Sequence, residues 1–257
     1  MAGKKIDAFA GLRGYAIILV FLSHYSFGAN SKGLNITNWL GALGVEVFII
    51  LSGFLLMENH GNTMFEFKPY YIRKVKKFYP LHFIMLLMAI PFSVKPLLGL
   101  DIEKWIALFS QVMLVQTWFP KPDIYFSFNG VAWYLSLTVF FIAVSPLTVK
   151  IWNKLTMRSS VIMMAGIAAA EIILCVVFRK SAFAHWILYV APFVRILDFF
   201  MGGGAGSWYK PAIIIKNQNI SVISQFFCWR KYAACPFFRV RTMNGFQLLF
   251  GLCRYRY

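Results

Sequence analysis

The chain has 257 residues, 60% of them hydrophobic and only 14% charged, with 27 Phe and 8 Trp. Soluble domains carry about half apolar and about a quarter charged residues, so an ordinary soluble domain is excluded. The net charge of +17 does not imply a nucleic-acid partner: no basic face of a soluble domain is available to carry one, and membrane proteins gather Lys and Arg in cytoplasmic loops.

Crossing the hydrocarbon core as a helix takes about 20 apolar residues. Candidate spans fall at 9–28, 39–57, 79–99, 131–151, 159–178 and 185–206, with a shorter apolar element at 104–118. The pattern predicts an all-α fold, a polytopic transmembrane helical bundle of about six or seven spans. The N-terminus has the outline of a signal peptide. Arg13 near the start of the apolar run and the weak small-residue site around Gly28 favour a retained span instead.

Lys4 and Lys5 place the N-terminus on the cytoplasmic side. Lys68, Arg73, Lys74, Lys76 and Lys77 return the chain to that side after two crossings. Lys150, Lys154 and Arg158 join them there if 79–99 and 131–151 both cross and 104–118 does not. The short element is then expected at the outer surface or as a re-entrant segment.

Arg13 and His24 lie ten residues apart within the first span. Eleven helical steps of about 100° bring both side chains to one face, about 16 Å apart along the axis. Ionisable groups in a span cost a few kcal/mol each and need a partner or a task. A histidine there can serve as general base, or take up an acyl group itself; the alternative is a neutral ring bonded to a neighbouring carbonyl. Arg13 suits a phosphate or a polarised carbonyl oxygen, or it snorkels to the headgroups.

Glu46, deep in the second span, is placed either to orient His24 or to pair with Arg13. Gly53 permits close approach, of substrate or of another helix. Ser52 lacks the surroundings of a nucleophile. Arg195 and Asp198 are three residues apart and are expected to pair, which lowers the cost of burying both. Glu171 stands alone among alanines. The four cysteines, at 175, 228, 235 and 253, have no metal-ligand spacing, and no metal is implied.

From Ser207 onward there are eight Lys and Arg, no Asp or Glu, and no clear span. We read a transmembrane domain over 1–208 and an irregular basic tail over 209–257. The tail is either cytoplasmic and disordered, or the product of a reading frame lost near 210 by frameshift or truncation.

Five blocks carry a family resemblance: DAFAGLRGYAIILVFLSHY with Arg13 and His24, GALGVEVFIILSGFLL with Glu46, Ser52 and Gly53, YYIRKVKKFYPLHF with Arg73, Tyr79 and Pro80, WYLS at 133–136, and RILDFFMGG at 195–203. In this order, over residues 6–208, the chain resembles acyltransferase family 3, integral-membrane enzymes that O-acylate sugars of surface glycans.

The resemblance implies transfer of an acyl group, acetyl above all, from acyl-CoA to a glycan hydroxyl, with no bound cofactor. It implies a bacterial-type cytoplasmic membrane and, as partners, the lipid bilayer, acyl-CoA and a carbohydrate or lipid-linked glycan. It gives His24, Glu46 and Arg13 as catalytic and Arg13, Arg73 and Tyr79 as acyl-CoA-binding, with Arg195, Asp198 and Gly53 structural. The family follows the Trp-x-x-Ser block with a glutamate; Thr138 stands there in this chain. Alternatives are a truncated non-catalytic remnant and a proton-coupled transporter working through Glu46, His24 and Glu171.

Overall fold

Lipid offers no hydrogen bonds, so a spanning backbone must close its own. In a computed structural model that describes residues 7–24, 31–61, 65–93, 98–99 and 101–213, all regular structure is helical. The helices are α1 (Asp7–His24), α2 (Ser31–His60), α3 (Phe67–Ala89, continued by a 3-10 turn Ile90–Ser93) and α4 (Ile102–Met113). They continue as the single turn α5 (Pro122–Tyr125), then α6 (Trp133–Lys154), α7 (Met157–Phe178) and α8 (Pro192–Ile213). Among the described residues five helices are long and apolar enough to cross a membrane: Leu40–His60, Phe67–Phe92, Gly130–Lys154, Met157–Phe178 and Trp186–Tyr209. The apolar helix Phe9–His24 is shorter. The expected tail, 209–257, falls outside the described residues from position 214 onward.

The centre of the bundle is the contact of α2 with α8, flanked by α1 on one side and by α6 and α7 on the other. A Cβ built on Gly53 would overlap the carbonyl oxygen of Phe199, and one on Gly202 would overlap that of Ile50. The two backbones therefore touch. Phe141 stacks on Phe199 with ring centroids 4.9 Å apart, and Trp152 closes over Gly203, bringing α6 onto the same seam. On α7, Ser160, Met164, Ala168, Glu171 and Cys175 form the buried face.

Two expectations change. The third helix begins at Phe67 rather than 79, so Lys68 to Lys77 are helical and not a loop. Lys and Arg lower hydropathy without lowering helix propensity, so an apolar window misses those turns. The 104–118 element is a 12-residue helix, about 18 Å long against a core of about 30 Å. It does not span.

Instead α4 runs beside α3 and the chain turns back. The Tyr79 hydroxyl donates to the Val112 carbonyl at 3.0 Å, and the His82 imidazole Nε2 lies 3.0 Å from the Gln111 carbonyl oxygen. After the left-handed residue Leu114 the chain returns, so that Lys121 pairs with Glu103. The polarity of α4 is inverted: Ile102, Trp105, Ile106, Phe109 and Met113 are exposed, whereas Ser110 and Gln111 are buried. That is a lipid-facing apolar stripe over a polar interior. The interior is bonded to protein. Gln111 donates to the Ser127 carbonyl (2.8 Å), Gln116 to that of Ala132 (3.0 Å), Thr117 and Ser136 share a hydroxyl bond (2.7 Å), and the Trp186 indole donates to the Thr117 carbonyl (2.9 Å).

The α2–α8 seam predicts that Gly53→Val or Gly202→Val abolishes the folded, monodisperse protein in detergent. Gly166→Ala on α7, where an added Cβ meets nothing within 4 Å, leaves it intact. Size-exclusion profiles and thermal melts of the three variants check this.

Candidate active site

Two polar neighbourhoods are built inside the bundle. The first is enclosed on the seam. Arg195, on the first turn of α8, donates from Nη1 to Asp198 Oδ2 at 2.8 Å and from Nε to the Tyr189 carbonyl at 2.7 Å. Its guanidinium carbon lies 4.9 Å from the centre of the Tyr189 ring. Arg195, Asp198 and Glu46 are all buried, and Glu46 is within electrostatic range of both Arg195 and Tyr189.

Local backbone aims this cluster. Trp186–Val190 forms one π-helical turn, and Ala191 breaks to an extended conformation before Pro192 starts α8. Pro has no N–H to leave unbonded at that position. The turn brings Tyr189 against Trp133 (ring centroids 5.0 Å apart) and against His185 (5.3 Å), whose Nδ1 lies 3.2 Å from the Tyr125 hydroxyl.

The second neighbourhood is open. Arg13 on α1, Ser52 on α2 and Arg73 and Lys74 on α3 are exposed, and Tyr134 on α6 is half-buried. Every charged group acting on Lys74 is a cation: Arg13, Arg73 and Lys77. Arg13 also acts on the Tyr134 hydroxyl, which is hydrogen-bonded to the Ser52 side chain. α3 packs on α6 and α4 and is otherwise largely exposed. Tyr70 fixes it by a side-chain bond to Ser145 of α6, with the Lys74 ammonium 5.4 Å from its ring centre. The result is a cation-lined groove with hydroxyls at its floor.

His24 ends α1. Gly41 of α2 is packed against Ser23, and Gly44 against Val20 and Ala16, so the two helices run antiparallel in close contact. The His24 Nδ1 lies 2.7 Å from the Val20 carbonyl oxygen. A carbonyl only accepts, so Nδ1 carries the proton and Nε2 keeps its lone pair. Holding that tautomer is the task the sequence suggested for Glu46, and here a backbone carbonyl performs it. Glu46 lies five residues beyond Gly41, about 7.5 Å further along α2.

The structure thus brings Arg13 together with Arg73 across the groove and places His24 on the same helix as Arg13. Glu46 sits instead with Arg195 and Asp198 on the seam, and Gly53 faces α8. Tyr79 is set apart from the cations: its hydroxyl docks α4, and it projects about 140° around α3 from Lys74. Ser52, Lys74, Lys77 and Tyr134 were not among the residues singled out for binding. Thr138, where the family resemblance leads one to expect an acid, bonds back to the Tyr134 carbonyl at 2.9 Å.

A sequence model described as an acyltransferase domain, that of acyltransferase family 3, matches residues 6–239. The chain belongs to that family. It is 31% identical over 238 residues to acyltransferase MdmB of Streptomyces mycarofaciens, a match covering 82% of this chain and 60% of the relative. It is 29% identical over 96 residues to peptidoglycan O-acetyltransferase OatA of Listeria monocytogenes, covering 35% of this chain and 14% of that protein. The chain therefore spans about 60% of the length of the first relative and about one-seventh of the second. No solved structure matches it.

For this family member, the enclosed Arg195–Asp198 pair makes a stability prediction. Arg195→Met leaves a buried carboxylate without its cation and should cost about 3–5 kcal/mol. The double variant Arg195→Met/Asp198→Leu should lose less than the sum of the singles. Denaturation of all three, measured in one detergent, tests the coupling.

Proposed function

We propose that the chain is a membrane-bound O-acyltransferase that moves an acyl group, acetyl above all, from acyl-CoA to a hydroxyl of a cell-surface glycan. The observation that carries this reading is the groove. Arg13 from one helix and Arg73, Lys74 and Lys77 from another converge with no carboxylate acting on them, in a chain of acyltransferase family 3. Such a cluster suits the anionic end of CoA, since phosphate oxygens take charge-assisted bonds from guanidinium and ammonium groups. In this reading the N-terminus is cytoplasmic, the groove opens to the cytoplasm where acyl-CoA is made, and the bilayer is the cytoplasmic membrane of a bacterium.

From the cations, the thioester arm runs along α1 toward His24, a distance of about 16 Å. His24 Nε2 takes the proton from the acceptor hydroxyl as its oxygen attacks the thioester carbon. The developing oxyanion collapses, the C–S bond breaks, and the imidazolium returns the proton to the CoA thiolate. The products are the O-acyl glycan and CoA, and His24 is regenerated. Glu46, held by the Arg195–Asp198 pair, contributes from the seam to the electrostatics around the reacting groups. No bound cofactor takes part.

Two variants test this in membranes containing the chain, with labelled acetyl-CoA and a glycan acceptor. His24→Ala should lower transfer about 100-fold or more. Arg73→Ala should raise the KM for acetyl-CoA and leave kcat unchanged, the signature of lost uniform binding. Transfer by His24→Ala at the original rate would overturn the assignment of the base.

A further inference from the structure

The floor of the groove has a hydrogen-bonding polarity that says more than its charge. Ser52 is exposed although it sits in a helix otherwise apolar enough to span a membrane. Its hydroxyl donates to the Phe48 carbonyl at 2.7 Å. That proton is committed, so the Ser52 oxygen can only accept from the Tyr134 hydroxyl bonded to it. The Tyr134 proton is then committed as well. The two hydroxyls form a one-way chain, from Tyr134 to Ser52 to the Phe48 carbonyl, and the group left open toward the groove is a lone pair on the Tyr134 oxygen.

Packing fixes that chain. The Tyr134 ring lies against the Phe48 ring with centroids 6.2 Å apart. The Tyr134 carbonyl is tied by the Thr138 hydroxyl at 2.9 Å. Beside the acceptor stands Arg13, a pure donor, within electrostatic range of the Tyr134 hydroxyl. A fixed acceptor next to a fixed donor complements a group that carries a donor and an acceptor side by side. A secondary amide is such a group.

We propose that Arg13 and Tyr134, the latter held by Ser52, form a secondary-amide subsite that grips the pantetheine arm of the acyl donor midway between its phosphates and its thioester. The amide N–H donates to the Tyr134 oxygen, and the amide carbonyl accepts from the Arg13 guanidinium. The inference rests on the donor reading given above and adds a part of the donor that the cation cluster does not read. The arm carries two amides along its length, and the subsite lies between the cations of α3 and His24 at the far end of α1. Ser52 is a positioning residue: it touches no ligand and sets which way the Tyr134 hydroxyl points.

Binding to the purified chain in detergent separates the possibilities, with CoA, pantetheine and adenosine 3′,5′-bisphosphate as probes. Tyr134→Phe, a conservative change, should weaken CoA and pantetheine alike by about tenfold, one hydrogen bond's worth, and leave the bisphosphate untouched. Ser52→Ala should act in the same direction and Ser52→Thr should restore binding, since Thr keeps the oxygen. Arg73→Ala should weaken CoA and the bisphosphate but not pantetheine. If Tyr134→Phe leaves pantetheine binding unchanged while CoA still binds, the amide subsite is overturned and the donor reading stands. If the folded parent chain binds neither CoA nor the bisphosphate, the donor reading falls, and the subsite with it.

Discussion

The contact of α2 with α8, backbone on backbone at Gly53 and Gly202, is the constraint from which the remainder of the molecule takes its position. In lipid no hydrophobic force drives helices together, because acyl chains are as apolar as leucine. Association has to come from close packing and buried polar bonds, and both occur on this seam. The glycines admit the approach, and the approach sets the register of Glu46 on α2 against Arg195 on α8. A larger residue at either glycine would shift that register as well as loosen the packing. With one face of α2 committed to α8, another carries Ser52 into the groove.

Polar groups in this bundle follow two regimes. On the seam, charges are enclosed and neutralised locally: Arg195 has a carboxylate, a carbonyl and an aromatic face around it. In the groove, charges of one sign face an open space and repel one another. The first arrangement suits a part that must not move. The second has its counter-charge missing from the protein, which is what a site for an anionic substrate requires. The boundary between them runs along α2, where Glu46 and Ser52 are six residues apart yet belong to different regimes.

Much of this was legible from the chain itself. Spans are written in hydropathy, and the Arg195–Asp198 pair follows from two charges three residues apart on an apolar helix. The start of α3 was hidden because hydropathy measures burial in lipid and not helicity. The return path of 102–125 was hidden because its polar side chains find partners far along the chain, Thr117 with Ser136 and Trp186 for example. Glu46 was paired with His24 on the strength of their chemistry. A sequence cannot show that Val20, one turn before His24, supplies the needed acceptor through its backbone. Tyr134 was part of a recognised block, but its role depends on hydroxyl direction, which no spacing encodes.

The same long-range bonds bear on how the molecule is assembled. Gln111, Gln116 and Thr117 are synthesised before Ala132, Ser136 and Trp186, the groups that satisfy them. Until α6 has been inserted and the chain has reached Trp186, the polar lining of 102–118 has nothing in lipid to bond to. It must wait at the membrane surface, its apolar stripe of Ile102, Trp105 and Phe109 resting among the headgroups. The return segment is therefore a late-docking part: the spans go in first, and the wedge follows when its partners have emerged from the ribosome.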